Sequence, residues 1–177
     1  MTDAIKENNK RMKNKKKFEH FKGFVIILAS VIITILLVSF APYRIVRISG
    51  VSMSPTLVNN DMIVCKKLYS PKNYTKYINY GDIVITSNKF KIIKRVVALP
   101  NDTVEFRNGY LYINDNYSNY NNEDNTPLTD GEMLNYKITL KSDEYYLLGD
   151  NRKESLDSRV YGPFNKFSYI YIKKFGK

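Results

Sequence analysis

Ser52 stands in Gly50-Val51-Ser52-Met53-Ser54-Pro55-Thr56-Leu57, a stretch bounded by glycine and proline in which a hydroxyl can stay exposed on a rigid turn. Such a serine becomes a nucleophile only beside a base. The single histidine, His20, precedes a long apolar run, so the part of the chain holding Ser52 has no imidazole. That removes a Ser-His-Asp triad, a Cys-His pair and an H-E-x-x-H zinc site together. Lysine is the usual replacement, and Lys94 lies in Ile92-Ile93-Lys94-Arg95-Val96-Val97 with aliphatic neighbours on both sides. With an ordinary pKa of about 10.4, less than ~0.1% of a lysine is neutral at pH 7, and a working base needs that value lowered to ~7–8, which burial can supply. Ser52 as nucleophile with Lys94 as base is one reading. A turn serine and a snorkelling or edge-strand lysine fit the same pattern.

The elements that must position these groups begin with a basic tail. Residues 1–22 hold eight Lys/Arg against three Asp/Glu, about half of the chain's net charge of +11, and show no apolar periodicity. From Gly23 to Ala41 nineteen residues carry no charge, and as a helix they would be about 28 Å long, close to the ~30 Å core of a bilayer. A cleavable signal peptide has a shorter apolar region of about 7–15 residues and a small-x-small site, whereas this run ends in Phe40-Ala41-Pro42-Tyr43-Arg44. We therefore read an uncleaved anchor. Only Arg44 and Arg47 follow closely, so the charge bias keeps the N-terminus in the cytoplasm and faces the remainder outward. The organisation is a cytoplasmic tail at 1–22, a transmembrane anchor at 23–41 and an extracytoplasmic domain at 42–177. The tail's charge is explained by orientation at a membrane, and nucleic acid is not expected as a partner. The lone Cys65 excludes an intrachain disulfide and reads as a buried small hydrophobe.

After Pro42 the chain turns into short β-branched and aromatic runs separated by Asn, Asp, Gly and Pro, and no segment sustains a helical apolar repeat. A mainly β domain follows. The expected strands are 43–49, 61–67, 82–86, 89–98, 103–107, 110–113, 136–140 and 145–149, with Asn108-Gly109 as a type I′ hairpin turn. The Asn-, Asp- and Tyr-rich stretch 114–132 suggests a surface loop or flap.

Four ordered stretches then carry a resemblance. Ser52 to Leu57, Gly81-Asp82-Ile83-Val84, Lys94 to Asp102, and Gly149-Asp150-Asn151-Arg152 through Ser155, Asp157, Ser158 and Arg159 closely resemble the boxes of bacterial type I signal peptidases, here behind an N-terminal anchor. The resemblance implies a compact, barrel-like β catalytic domain and removal of signal peptides from exported preproteins after small-x-small motifs. It implies Ser52 as nucleophile, Lys94 as general base, and Ser155 as a hydroxyl that bonds and orients the lysine amine. It further implies Asp157 and Arg159 as a structural ion pair, Asp150 to Arg152 as a shaping turn, and Ile48, Met53, Leu57 and Ile93 as the lining of shallow pockets for small side chains.

The family's oxyanion donor is the backbone N–H of Ser52. Some members add a serine hydroxyl two residues earlier, where this chain has Gly50, as in the Gram-positive branch, and Ser49 is out of register. The expected partners are signal peptides, added as a strand to an exposed sheet edge, and membrane lipids. No metal and no cofactor are expected. A self-cleaving repressor shares the dyad but has a DNA-binding module and no span. The endoplasmic-reticulum type of signal peptidase has histidine where Lys94 stands. An anchored binding protein is the alternative from another class.

Overall fold

The computed structural model describes residues 2–39, 41–70, 74–87, 91–121 and 135–175. The chain divides into two compact units, Met1–Pro42 and Tyr43–Lys177.

The first unit is one helix, α1 (Thr2–Ser39), so the basic segment is helical in its backbone rather than irregular. Its Lys, Met and Glu residues are good helix formers, and no Gly or Pro interrupts them before Gly23. Lys15–Ser39 is long and apolar enough to cross a membrane, and none of its apolar stretch is buried within the protein. The polar side chains of this stretch are satisfied by the helix itself. Ser30, Thr34 and Ser39 donate to the carbonyls of Ile27, Ser30 and Ile35 at 2.7–2.8 Å, the arrangement that hydrocarbon surroundings demand.

The second unit is mainly β. Its strands are β1 (Tyr43–Arg47), β2 (Met62–Lys67), β3 (Ile83–Thr86), β4 (Ile93–Ala98), β5 (Thr103–Arg107), β6 (Tyr110–Ile113), β7 (Asn116–Tyr117), β8 (Tyr136–Thr139), β9 (Tyr146–Leu148) and β10 (Phe167–Lys174). Two short helices, α2 (Tyr74–Tyr77) and α3 (Ser158–Tyr161), interrupt them. A six-stranded sheet runs β1-β2-β10-β3-β4-β9 and a four-stranded sheet runs β7-β6-β5-β8, with all pairings antiparallel.

Each strand expected from sequence has a counterpart; 103–107 and 110–113 keep their bounds, and the others are shortened at one or both ends. Residues 89–90 of the expected 89–98 strand and residues 122–132 of the expected flap lie outside the described residues. The part of the flap that is described contains β7. Asn108 and Gly109 have φ of 52° and 79°, the left-handed pair a type I′ turn requires. The sequence reading missed β10, which is central to the larger sheet and pairs with both β2 and β3.

That sheet is covered on both faces, and β3 shows it. Its residues are all buried, Ile83 and Ile85 in one cluster with Ile48, Met53, Leu57, Ile63 and Cys65, and Val84 in another with Tyr74, Val96, Leu147 and Phe167. Alternate residues point to opposite faces, so one apolar strand feeds two cores. Cys65 is buried as expected, and burial pushes its thiol up to about 11. A third cluster, with Val104, Phe106, Leu111 and Leu148, joins the smaller sheet to β9.

Candidate active site

Lys94 is held on β4, between β3 and β9, in register with Val84. It is neither at a sheet edge nor snorkelling. Only 3% of it is exposed, and its Nζ lies 2.7 Å from Ser52 Oγ and 2.9 Å from the Ile93 carbonyl. Burial lowers the amine's pKa from its ordinary value; Asp157 opposes this, Arg159 adds to it, and Asp150 opposes it. A neutral amine has a free lone pair, so the 2.7 Å contact can carry the Ser52 proton to nitrogen.

Ser52 sits in a tight turn that the far side of the domain fastens. Its carbonyl accepts from Asn151 N at 3.1 Å, and Asn151 Nδ2 donates to the Val51 carbonyl at 3.3 Å. Leu57 N donates to the Met53 carbonyl at 2.9 Å, closing the turn from within. Among the described residues the Ser52 N–H meets no acceptor, which leaves it available to an oxyanion. Gly50 has φ of 102°, and its N–H donates to Asn59 Oδ1 at 3.1 Å. That left-handed backbone explains a glycine at this position.

The supporting network converges on Asp157, which is wholly buried. Its Oδ2 accepts from Ser155 Oγ at 2.7 Å, from Gly149 N at 3.0 Å and from Arg159 Nη2 at 2.8 Å, and its Oδ1 accepts from Arg159 Nε at 2.8 Å. The bidentate Arg159 is itself only 8% exposed, so this is not a surface pair. Removing one partner of such a buried pair typically costs ~3–5 kcal/mol, because the other charge stays behind. Asp157 also caps α3.

Ser155 departs from expectation. Its hydroxyl donates to Asp157 and makes no bond to the Lys94 amine. A carboxylate is the stronger acceptor, and Lys94 is already engaged by Ser52 and the Ile93 carbonyl.

Arg95 is a positioning residue that the sequence reading passed over. It forms two bonds to Asp150, at 2.7 and 2.5 Å, and reaches the Gly81 carbonyl at 2.8 Å and Thr56 Oγ1 at 3.3 Å. One guanidinium thus ties the Ser52 turn, the Gly81 turn and the Asp150 turn together. Its place next to Lys94 in a matched box was the available signal. Arg152 secures the same corner, donating to the Gly149 carbonyl at 2.7 Å and to the Tyr120 carbonyl.

A cleft of about 320 Å³ opens at Ser52 and Lys94. Val46, Ile48, Ile85, Ile92 and Ile93 form its apolar lining. Of the residues expected to line a pocket, Ile48 and Ile93 are among those lining this cleft. Met53 and Leu57 are not: each is 1% exposed, and both pack in the core cluster beneath. The turn that carries Ser52 directs Met53 and Leu57 inward, and Val46, Ile85 and Ile92 supply wall in their place.

Comparison with known proteins matches residues 17–171 to the family described as Signal peptidase, peptidase S26. The chain belongs to this family. Similar relatives include signal peptidase I P of Bacillus subtilis subsp. natto, 35% identical over 82% of this chain and 81% of that one. Signal peptidase I U of Bacillus subtilis strain 168 is 33% identical over 76% and 73%. A solved signal peptidase I from Enterococcus faecalis V583 is 29% identical over 50% of this chain and 89% of that one, with a TM-score of 0.39. By family this chain is a signal peptidase, a serine endopeptidase.

Proposed function

We propose that this signal peptidase removes signal peptides from preproteins by acyl transfer, with Ser52 as nucleophile and Lys94 as general base. The observation that carries the reading is the 2.7 Å contact between Ser52 Oγ and a Lys94 amine shielded from water. Neutral Lys94 takes the Ser52 proton as Oγ attacks the scissile carbonyl, giving a tetrahedral oxyanion stabilised by the Ser52 N–H. The carbon–nitrogen bond then breaks, Lys94 returns its proton to the leaving amine, and an ester to Ser52 remains. Water, deprotonated by the same amine, hydrolyses the ester and frees the enzyme.

The substrate is read as an extended segment in the cleft between 46–49 and 91–93, with the small residues one and three before the cut over Ile48, Val46, Ile85 and Ile93. The supporting residues in this scheme are Ser155, Asp157, Arg159 and Arg95, and Gly50 shapes the turn. The proposed organisation is a cytoplasmic tail at 1–22, an anchor at 23–41 and a domain from 42 onward on the outer side of the cell membrane. An anchor would hold the site where signal peptides emerge and raise their effective concentration.

The test is cleavage of a purified preprotein by the full-length protein in detergent, with the new N-terminus read by mass spectrometry, beside Ser52→Ala and Lys94→Ala. One cut after a small-x-small site that vanishes in both variants is expected. Cutting that survives in either would overturn the dyad. Orientation is checked separately by protease accessibility of tags at the two ends in sealed vesicles.

A further inference from the structure

The cleft carries charge that the reaction does not use. Besides Lys94, two of its lining residues are cations, Arg47 at the end of β1 and Lys91 just before β4. Both are exposed, and among the described residues no carboxylate lines the cleft. Among the described residues neither side chain forms a hydrogen bond or an ion pair, and the Lys91 amine lies 6.0 Å from the centre of the Tyr169 ring. By contrast, Arg95, Arg107, Lys137, Lys141, Arg159 and Lys174 all have acidic partners. Two unpaired cations on the walls of a cleft whose described lining holds no acidic side chain set up a positive field there.

We propose that Arg47 and Lys91 are specificity-determining residues, favouring preproteins with an acidic side chain two or four residues before the cut and disfavouring those with a basic one there. The proposal rests on the reading of this cleft as the substrate's path. In an extended segment alternate side chains face opposite ways. When the residues one and three before the cut face the apolar lining, those two and four before it are turned toward the rim, where Arg47 and Lys91 stand. Apolar pockets for small side chains do not discriminate by charge, so the two selections are independent.

The experiment uses full-length protein in detergent and one synthetic signal-peptide substrate with alanine one and three before the cut. Asp, Asn or Lys is placed in turn two or four residues before it. The expected order of kcat/KM is Asp, then Asn, then Lys, with the difference carried by KM and an Asp-to-Lys ratio of about tenfold at low salt, as for exposed charge pairs acting together. Raising salt from ~0.1 M to ~1 M shortens the screening length from ~10 Å to ~3 Å, and the ratio should shrink toward one. In the double variant Arg47→Gln/Lys91→Gln the ratio should be near one at low salt as well.

A wild-type ratio near one at low salt, or a ratio indifferent to salt, overturns the proposal even if the double variant cannot be made. A ratio unchanged in the double variant overturns it too. Failure of the wild type to cut the Asn peptide anywhere would overturn the reading of the cleft itself, and the proposal with it.

Discussion

A β-carbon on Gly149 would stand 2.5 Å from the carbonyl oxygen of Ser52. The same carbon would collide with the Ser155 hydroxyl. The glycine cannot retreat, because its N–H is fixed to Asp157 at 3.0 Å and its carbonyl to Arg152 at 2.7 Å. Both neighbours are backbone or buried side chain, so accommodation must move the turn that carries the nucleophile. Gly149→Ala is expected to lower kcat/KM by about 100-fold, the typical result of displacing a reacting group by ~1 Å, and to lower the unfolding temperature. Steady-state kinetics and a thermal melt of the full-length protein check this. Activity within about twofold of wild type would mean the corner yields.

Lys94 links rate and stability to pH in the same direction. Burial lowers its pKa in the folded state, while in the unfolded chain it titrates near 10.5. Between those two values the unfolded state binds the extra proton, so stability rises with pH across that window and is lost as pH falls through it. Lys94→Met removes the penalty at similar volume. It is expected to be inactive yet more stable than wild type at pH 7, with the difference in unfolding temperature narrowing toward pH 10. Wild-type activity should fall as pH drops through the lowered pKa. A stability gap that stays constant with pH would contradict the assignment.

Ser155 separates what the family resemblance implies from what the geometry holds. Its hydroxyl serves Asp157, so Ser155→Ala removes a bond to a buried carboxylate and should cost about 1.5–3 kcal/mol of stability. Lys94 keeps both of its own partners, and the acid limb of the pH–rate profile should stay where it is in wild type. A displaced limb would place Ser155 on the amine during turnover.

The parts of the site that were legible in sequence are those whose chemistry is written in residue type. Ser52 in its Gly/Pro turn and Lys94 among aliphatics could be named, and the matched boxes supplied Asp157 and Arg159. The direction of each side chain could not. Met53 and Leu57 follow the half-buried Ser52 in the same turn yet point into the core, while Val51 just before it is exposed. Arg95 was given no role, because nothing local shows that three turns meet on its guanidinium. β10 was missed although Phe167-Ser168-Tyr169-Ile170-Tyr171-Ile172 is rich in strand-forming residues; its central place depends on partners more than eighty residues away, and no local pattern encodes them. Arg47 and Lys91 come together only because the cleft places the end of β1 opposite the approach to β4.

Gly50 sets the last prediction, which concerns the oxyanion. The family resemblance raises a serine there as a second donor, and an ideal β-carbon on Gly50 meets nothing within 4 Å, so space alone would admit one. The backbone does not. At φ of 102° a non-glycine residue is strained by about 1–3 kcal/mol, and the Gly50 N–H is already committed to Asn59. Gly50→Ser is therefore expected to melt at a lower temperature and to cleave no faster than wild type. Gly50→Ala carries the same strain without a hydroxyl, and the two variants should have equal kcat. A well-placed oxyanion donor is worth about 100- to 1000-fold, so a kcat for Gly50→Ser far above that of Gly50→Ala would show that the turn relaxes enough to bring a new hydroxyl to the oxyanion. Equal rates would leave the Ser52 N–H as the donor this backbone provides.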